Sequence, residues 1–95
     1  MFVGVARVAL LIPGNSSLKG KRKVIKSLLD RLRSRFNVSA AEVGDNDLWQ
    51  RALIGVSLVA NDRRFVDAAL SKVVEFIEFS GTAQVIDIYT EIVNV

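Results

Sequence analysis

The chain contains no cysteine and no histidine. Those two absences exclude a disulfide scaffold, a thiolate nucleophile, imidazole acid–base chemistry and cysteine- or histidine-based zinc clusters. A chain without disulfides suits a reducing compartment, and the protein is expected to be cytoplasmic. Proline occurs once, and aromatic residues make up only 7% of the chain, with a single Trp49 and a single Tyr89. No apolar run approaches the ~20 residues that span a bilayer. Residues 2–12 have the greasiness of a signal core, but they lack a basic leader and Arg7 interrupts them. A soluble protein without a membrane partner is expected. What is present in quantity is apolar side chain, 51% of 95 residues, enough for one two-layer core.

Residues 2–12 are β-branched and apolar, end at Pro13-Gly14, and read as a long central strand. Residues 38–43 form a second strand, Gly44-Asp45-Asn46-Asp47 a hairpin loop, and residues 48–60 a third strand. Asn61-Asp62 caps a helix over residues 63–79 with a stripe of Phe65/Val66, Ala69/Leu70, Val73/Val74 and Ile77. Ser80-Gly81 stops it, and residues 83–93 close the chain as a strand with Ile86, Ile88 and Ile92 facing inward. With a helix between the first two strands, the order is strand–helix–strand–strand–helix–strand. Right-handed crossovers turn that order into an α+β, ferredoxin-like βαββαβ sandwich, a four-stranded antiparallel sheet with two helices on one face. Residues 1–95 form a single such domain, without linker or repeat.

The first helix, within residues 16–36, is the most unusual stretch. Leu18, Val24, Ile25, Leu28, Leu29 and Leu32 make one apolar stripe. Lys19, Arg22, Lys23, Lys26 and Arg33 share the opposite side, while Arg31 and Arg35 sit at the stripe's other border. Residues 16–36 include eight of the thirteen basic groups and one acid, Asp30, leaving five basic against nine acidic groups elsewhere. Cations in a helix's first turn are unfavourable by ~0.3–1 kcal/mol each. Ser16 or Ser17 can cap, yet no carboxylate offsets the cations that follow. Positive potential beside free N–H groups favours an anion site over a merely solvated face. Its candidate residues are Ser17, Lys19, Lys21, Arg22, Lys23 and Lys26, with Gly14 and Gly20 permitting close approach to the backbone. Gly14 to Lys21 nearly meets the phosphate-loop pattern, but Arg22 stands where the magnesium-binding hydroxyl belongs. Nucleotide hydrolysis is therefore rejected and a simpler anion cradle kept.

The sheet face away from the helices is uncovered. Alternation assigns it Val3, Val5, Ala9, Leu53, Val59, Val85 and Tyr89, with Arg7, Arg51, Asp87, Glu91 and Glu42. Arg7 is expected to pair with Asp87 or Glu91, and Arg51 with Glu42. A face this apolar points to a homodimer, with Val5, Arg7, Leu53, Val85 and Tyr89 as interface residues. The aromatics that stack bases on RNA-binding sheets of this fold are missing, because Val3, Val5, Arg7, Arg51, Leu53 and Gly55 hold those positions. RNA contact would then run through phosphates and the basic helix, with strong salt dependence. Asp45-Asn46-Asp47 reads as turn chemistry rather than a metal site. Trp49 is expected to seal one end of the core, with a partner hot spot as the sharper alternative.

The stretches Ser17-Leu18-Lys19-Gly20-Lys21-Arg22, Phe36-Asn37-Val38-Ser39, Ala41-Glu42-Val43 and Asp47-Leu48-Trp49-Gln50-Arg51-Ala52 resemble the YlxP-like family of small bacterial proteins of unassigned function. The resemblance covers essentially the whole chain and implies the same ferredoxin-like fold. Members are typically encoded near translation-initiation and ribosome-maturation factors, which implies ribosome or RNA work. Gly20 departs from the pattern, since relatives commonly carry Glu there. The expectation is a non-enzymatic RNA- or ribosome-associated accessory protein, with no cofactor and no metal. The alternative is a homodimeric scaffold or small-molecule-binding regulatory domain using the open sheet. A small hydrolase resembling acylphosphatase, using Arg7 and Asn15, ranks last because no matching motif is found.

Overall fold

The computed structural model describes every residue from Met1 to Val95. The elements run β1 (Phe2–Leu11), α1 (Leu18–Arg35), β2 (Ser39–Gly44), β3 (Arg51–Ala60), α2 (Arg63–Glu78) and β4 (Gln84–Asn94). All pairings are antiparallel, in the order β2-β3-β1-β4. This is the α+β, ferredoxin-like sandwich. No helix is long and apolar enough to cross a membrane.

Strand alternation sets the layers. Ala6, Val8 and Leu10 of β1 and Ala52, Ile54, Val56 and Leu58 of β3 are buried against the helices. Onto them α1 lays Ile25, Leu28, Leu29 and Leu32, while α2 lays Val66, Leu70, Val73 and Ile77. Full burial of such a side chain contributes about 1.5–3 kcal/mol, so these two stripes seat the helices. A Cβ at Gly4 would run into Val66 Cγ1, which is why α2 can cross β1 so closely. Ser17 caps α1, its Oγ accepting from the Gly20 N–H at 3.0 Å, and Asp62 caps α2, accepting from the Arg64 N–H at 2.9 Å. The C-cap of α1 is Phe36. Its backbone is extended, and its ring meets Phe76 edge-on at 5.7 Å between centroids.

Two register shifts change which side chains face which way. In the β1–β4 pairing, Ala9 lies opposite Asp87 but Leu10 lies opposite Val85, so Ile86 is the extra residue. A bulge of this kind moves everything beyond it to the other face. Val85 therefore lies on Leu10's side, packed against the core, and not on the open face; Ile86 is 42% exposed instead of inward. In the β2–β3 pairing Glu42 lies in register with Ile54, whose side chain is fully buried, two residues on from the buried Ala40, and the second shift falls beyond it, before Gly44. Glu42 consequently points to the helix side and does not meet Arg51 across the open face. Arg51 lies instead near Asp45, at 4.0 Å. Arg7 does not pair with Asp87 or Glu91. It lies directly across from Tyr89, with its guanidinium 5.0 Å from the ring centroid, and the Tyr89 hydroxyl donates to Glu91 at 2.8 Å.

Candidate functional site

The amino end of α1 is built from Asn15, Ser17, Gly20 and Lys21. Asn15 Nδ2 donates to the carbonyls of Ser17 and Trp49, and its carboxamide oxygen occupies the space that a side chain at position 20 would need. The missing Cβ of Gly20 thus serves the protein's own Asn15 rather than an incoming ligand. Ser17 Oγ is likewise engaged as the helix cap. The expected cradle is closed by its own side chains.

Lys21 differs most from expectation. It projects inward and is fully buried, in line with Ile25, Leu28 and Leu32 on the helix. An ammonium carries three hydrogens. They reach the carbonyls of Asp45, Asn46 and Arg51 at 2.6, 3.1 and 3.1 Å. Glu42 Oε2 stands 2.9 Å from the same nitrogen and supplies the countercharge. That carboxylate oxygen has no hydrogen bond of its own, because the donors are already committed. The acidic hairpin does hold a cation, and the cation is Lys21. The arrangement also accounts for the loop. Asp45 adopts a positive φ of 58°, carbonyls turn toward the ammonium, and β3 begins at Arg51 instead of at residue 48. Trp49, left outside the strand, is 55% exposed and does not seal the core.

The outer face of α1 keeps the other candidates. Lys19, Arg22, Lys23 and Lys26 are all exposed. Lys26 contacts Asp30 at 2.8 Å and Arg33 contacts the same carboxylate at 3.5 Å, while Lys19, Arg22 and Lys23 take part in no ion pair. The hydrogen bond from Lys26 holds the Asp30 carboxyl below its ordinary range, with the charges of Lys26 and Arg33 acting in the same direction. One carboxylate shared by two cations leaves the face strongly positive.

The open face gathers four of its five expected interface residues. Val5, Arg7 and Leu53 face away from the helices with Tyr89, and Val85 does not. Above Gly55, which has no side chain, lies a shallow trough of about 440 Å³ bordered by Val5, Arg7, Ala41, Val43 and Tyr89. Arg7 and Asn15, the pair a hydrolase would need, are engaged with different neighbours, the first with Tyr89 and the second with Ser17 and Trp49.

Fold and surface together define a small ferredoxin-like domain whose exposed positive charge is concentrated on one helix. The chain belongs to the family described as "Protein of unknown function (DUF503)", which matches residues 3–90. It is similar to the uncharacterized protein YlxP of Bacillus subtilis (strain 168), with 38% identity over 76 residues, 80% of this chain and 83% of the relative.

Proposed function

We propose that this protein is a non-enzymatic, cytoplasmic RNA- or ribosome-associated factor that grips phosphates with the outer face of α1. The observation that carries the reading is that Lys19, Arg22 and Lys23 are exposed on one side of a helix without a carboxylate partner, with Lys26 adjoining them. A row of uncompensated cations binds a polyanion mainly by releasing its counterions, and the affinity falls steeply with salt. Lys21 is outside this set. Replacing Lys19, Arg22 and Lys23 by Ala is expected to weaken binding to total cellular RNA and to lower the magnitude of its log–log salt slope by about 2, at ~0.7 per phosphate contact on a single strand. An unchanged slope would reject the reading.

A second reading rests on the trough above Gly55. Its apolar border, with Arg7 and Tyr89 at one side, suits a second copy of the chain or a small apolar ligand. Sedimentation separates the possibilities. A monomer at micromolar concentration, unchanged by the substitution Val5→Asp, removes the homodimer.

A further inference from the structure

The flank of α1 that faces α2 differs from its outer face. Arg31 and Arg35 lie there, each with its guanidinium over the Phe76 ring, at 5.9 and 5.5 Å from the centroid. Phe36 meets the same ring from its edge. Along α2 and at its C-cap the residues Phe65, Lys72, Phe76 and Phe79 recur at helical spacing beside the buried stripe. Two adjoining hollows of about 370 and 340 Å³ share Arg35, Phe36 and Lys72 and together run from Phe65 to Phe79. Four of the chain's five phenylalanines border this groove. Phe65 and Phe79 are 61% and 81% exposed, so the rings flank the groove and do not close it. Against Arg31, Arg35 and Lys72 stands one carboxylate, Glu75, and none of the three cations forms an ion pair.

We propose that this groove is a stacking site for unpaired nucleotides of a single-stranded RNA. The inference rests on the RNA reading above and extends it from phosphate attraction to base contact. Open aromatic rings accept any base on their π-faces, and neighbouring cations hold the backbone that joins the bases. Arginine contributes further by lying flat on a ring or a base. The charge favours a polyanion over an apolar peptide, and it has the same sign as the outer face on the other flank of the same helix. Duplex RNA is excluded from the groove because its bases are already stacked on each other. The sheet surface that carries aromatics in other RNA-binding members of this fold has none to offer here beyond Tyr89, and the helix side supplies them instead.

Fluorescence anisotropy with a labelled oligouridylate and a labelled duplex RNA tests the assignment. Phe65→Ala/Phe79→Ala removes two exposed rings, and its thermal melt verifies that the fold survives. It is expected to weaken single-strand binding at least about fivefold, to leave duplex binding unchanged, and to leave the salt slope intact. Arg35→Ala/Lys72→Ala should instead lower the magnitude of the single-strand slope by about 1.4. Equal single-strand affinity of the ring-deleted and wild-type proteins overturns the proposal, as does an equal loss on the duplex. Loss of self-association on sedimentation, with RNA affinity unchanged, also overturns it and gives the groove to a second copy. If wild type binds neither RNA, this proposal and the α1 reading fall together. If Lys19→Ala/Arg22→Ala/Lys23→Ala weakens binding while the ring deletion does not, only the groove falls.

Discussion

The inward and outward sides of α1 handle positive charge in opposite ways. At the amino end Lys21 turns inward and is fully satisfied by three carbonyls and Glu42, while Asn15 and Ser17 fill the helix start. At the carboxyl end Arg31 and Arg35 remain at the surface, resting on Phe76 and forming no ion pair. A run of cations in sequence thus says little about which of them a partner can reach. Direction around the helix decides it. Lys21 lies within the apolar stripe, and a charge buried there persists only with partners built around it.

The largest expected effect probes the amino end. Lys21→Met leaves Glu42 and three carbonyls facing an apolar group, which should cost about 3–5 kcal/mol of stability in urea unfolding. The same substitution should leave the salt slope of RNA binding unchanged, since Lys21 is inaccessible. A loss under about 1 kcal/mol would break the contrast between the two sides. Adding Glu42→Gln is expected to restore part of the loss by removing the orphaned carboxylate, and a double-mutant cycle measures the coupling. Gly4→Ala follows, at about 1–3 kcal/mol, because the new methyl must displace Val66. Ser17→Ala is expected to cost ~1 kcal/mol through loss of the cap, again with little effect on RNA.

Asp30→Asn addresses the exposed side. It releases Lys26 and Arg33 from their shared carboxylate and is expected to raise RNA affinity at low salt, steepening the slope by up to about 1.4. Stability should hardly change, because both pairs are exposed. The smallest effect is spectroscopic. The hydrogen bond to Glu91 raises the pKa of Tyr89, and the Glu91 charge adds to it. Because the folded state holds this proton more tightly, the associated stability is present below the ordinary phenol value, ~10, and is lost as pH rises through the raised one. Ultraviolet titration of the sole tyrosine should show ionisation above that value, and Glu91→Gln should bring it back.

The element order was legible in the residues, and so were the helix stripes, except that Phe65, counted with Val66 in the second stripe, is 61% exposed. Val66, Leu70, Val73 and Ile77 are buried at the spacing the periodicity demands, as are Ile25, Leu28, Leu29 and Leu32. Periodicity is a local property, carried by each segment before it meets another, and the family resemblance agreed with it. The strand faces were legible only up to the bulges. One extra residue near Ile86 moved Val85 beneath the helices, and alternation counted along the chain has no means of detecting an insertion made against a partner strand. The aromatic groove was hidden for a related reason. Phe36, Phe65, Phe76 and Phe79 are scattered over two helices and their caps, and neither helix alone brings them beside Arg31, Arg35 and Lys72.

Patterning along the chain thus settled that this is a βαββαβ sandwich with a cationic first helix, because hydrophobic burial follows spacing within each segment. Tertiary contact alone decided which cation became structural, which faces stayed open and where the phenylalanines met. Those outcomes depend on what each side chain encounters across the fold, from the carbonyls around Lys21 to the rings around Arg35.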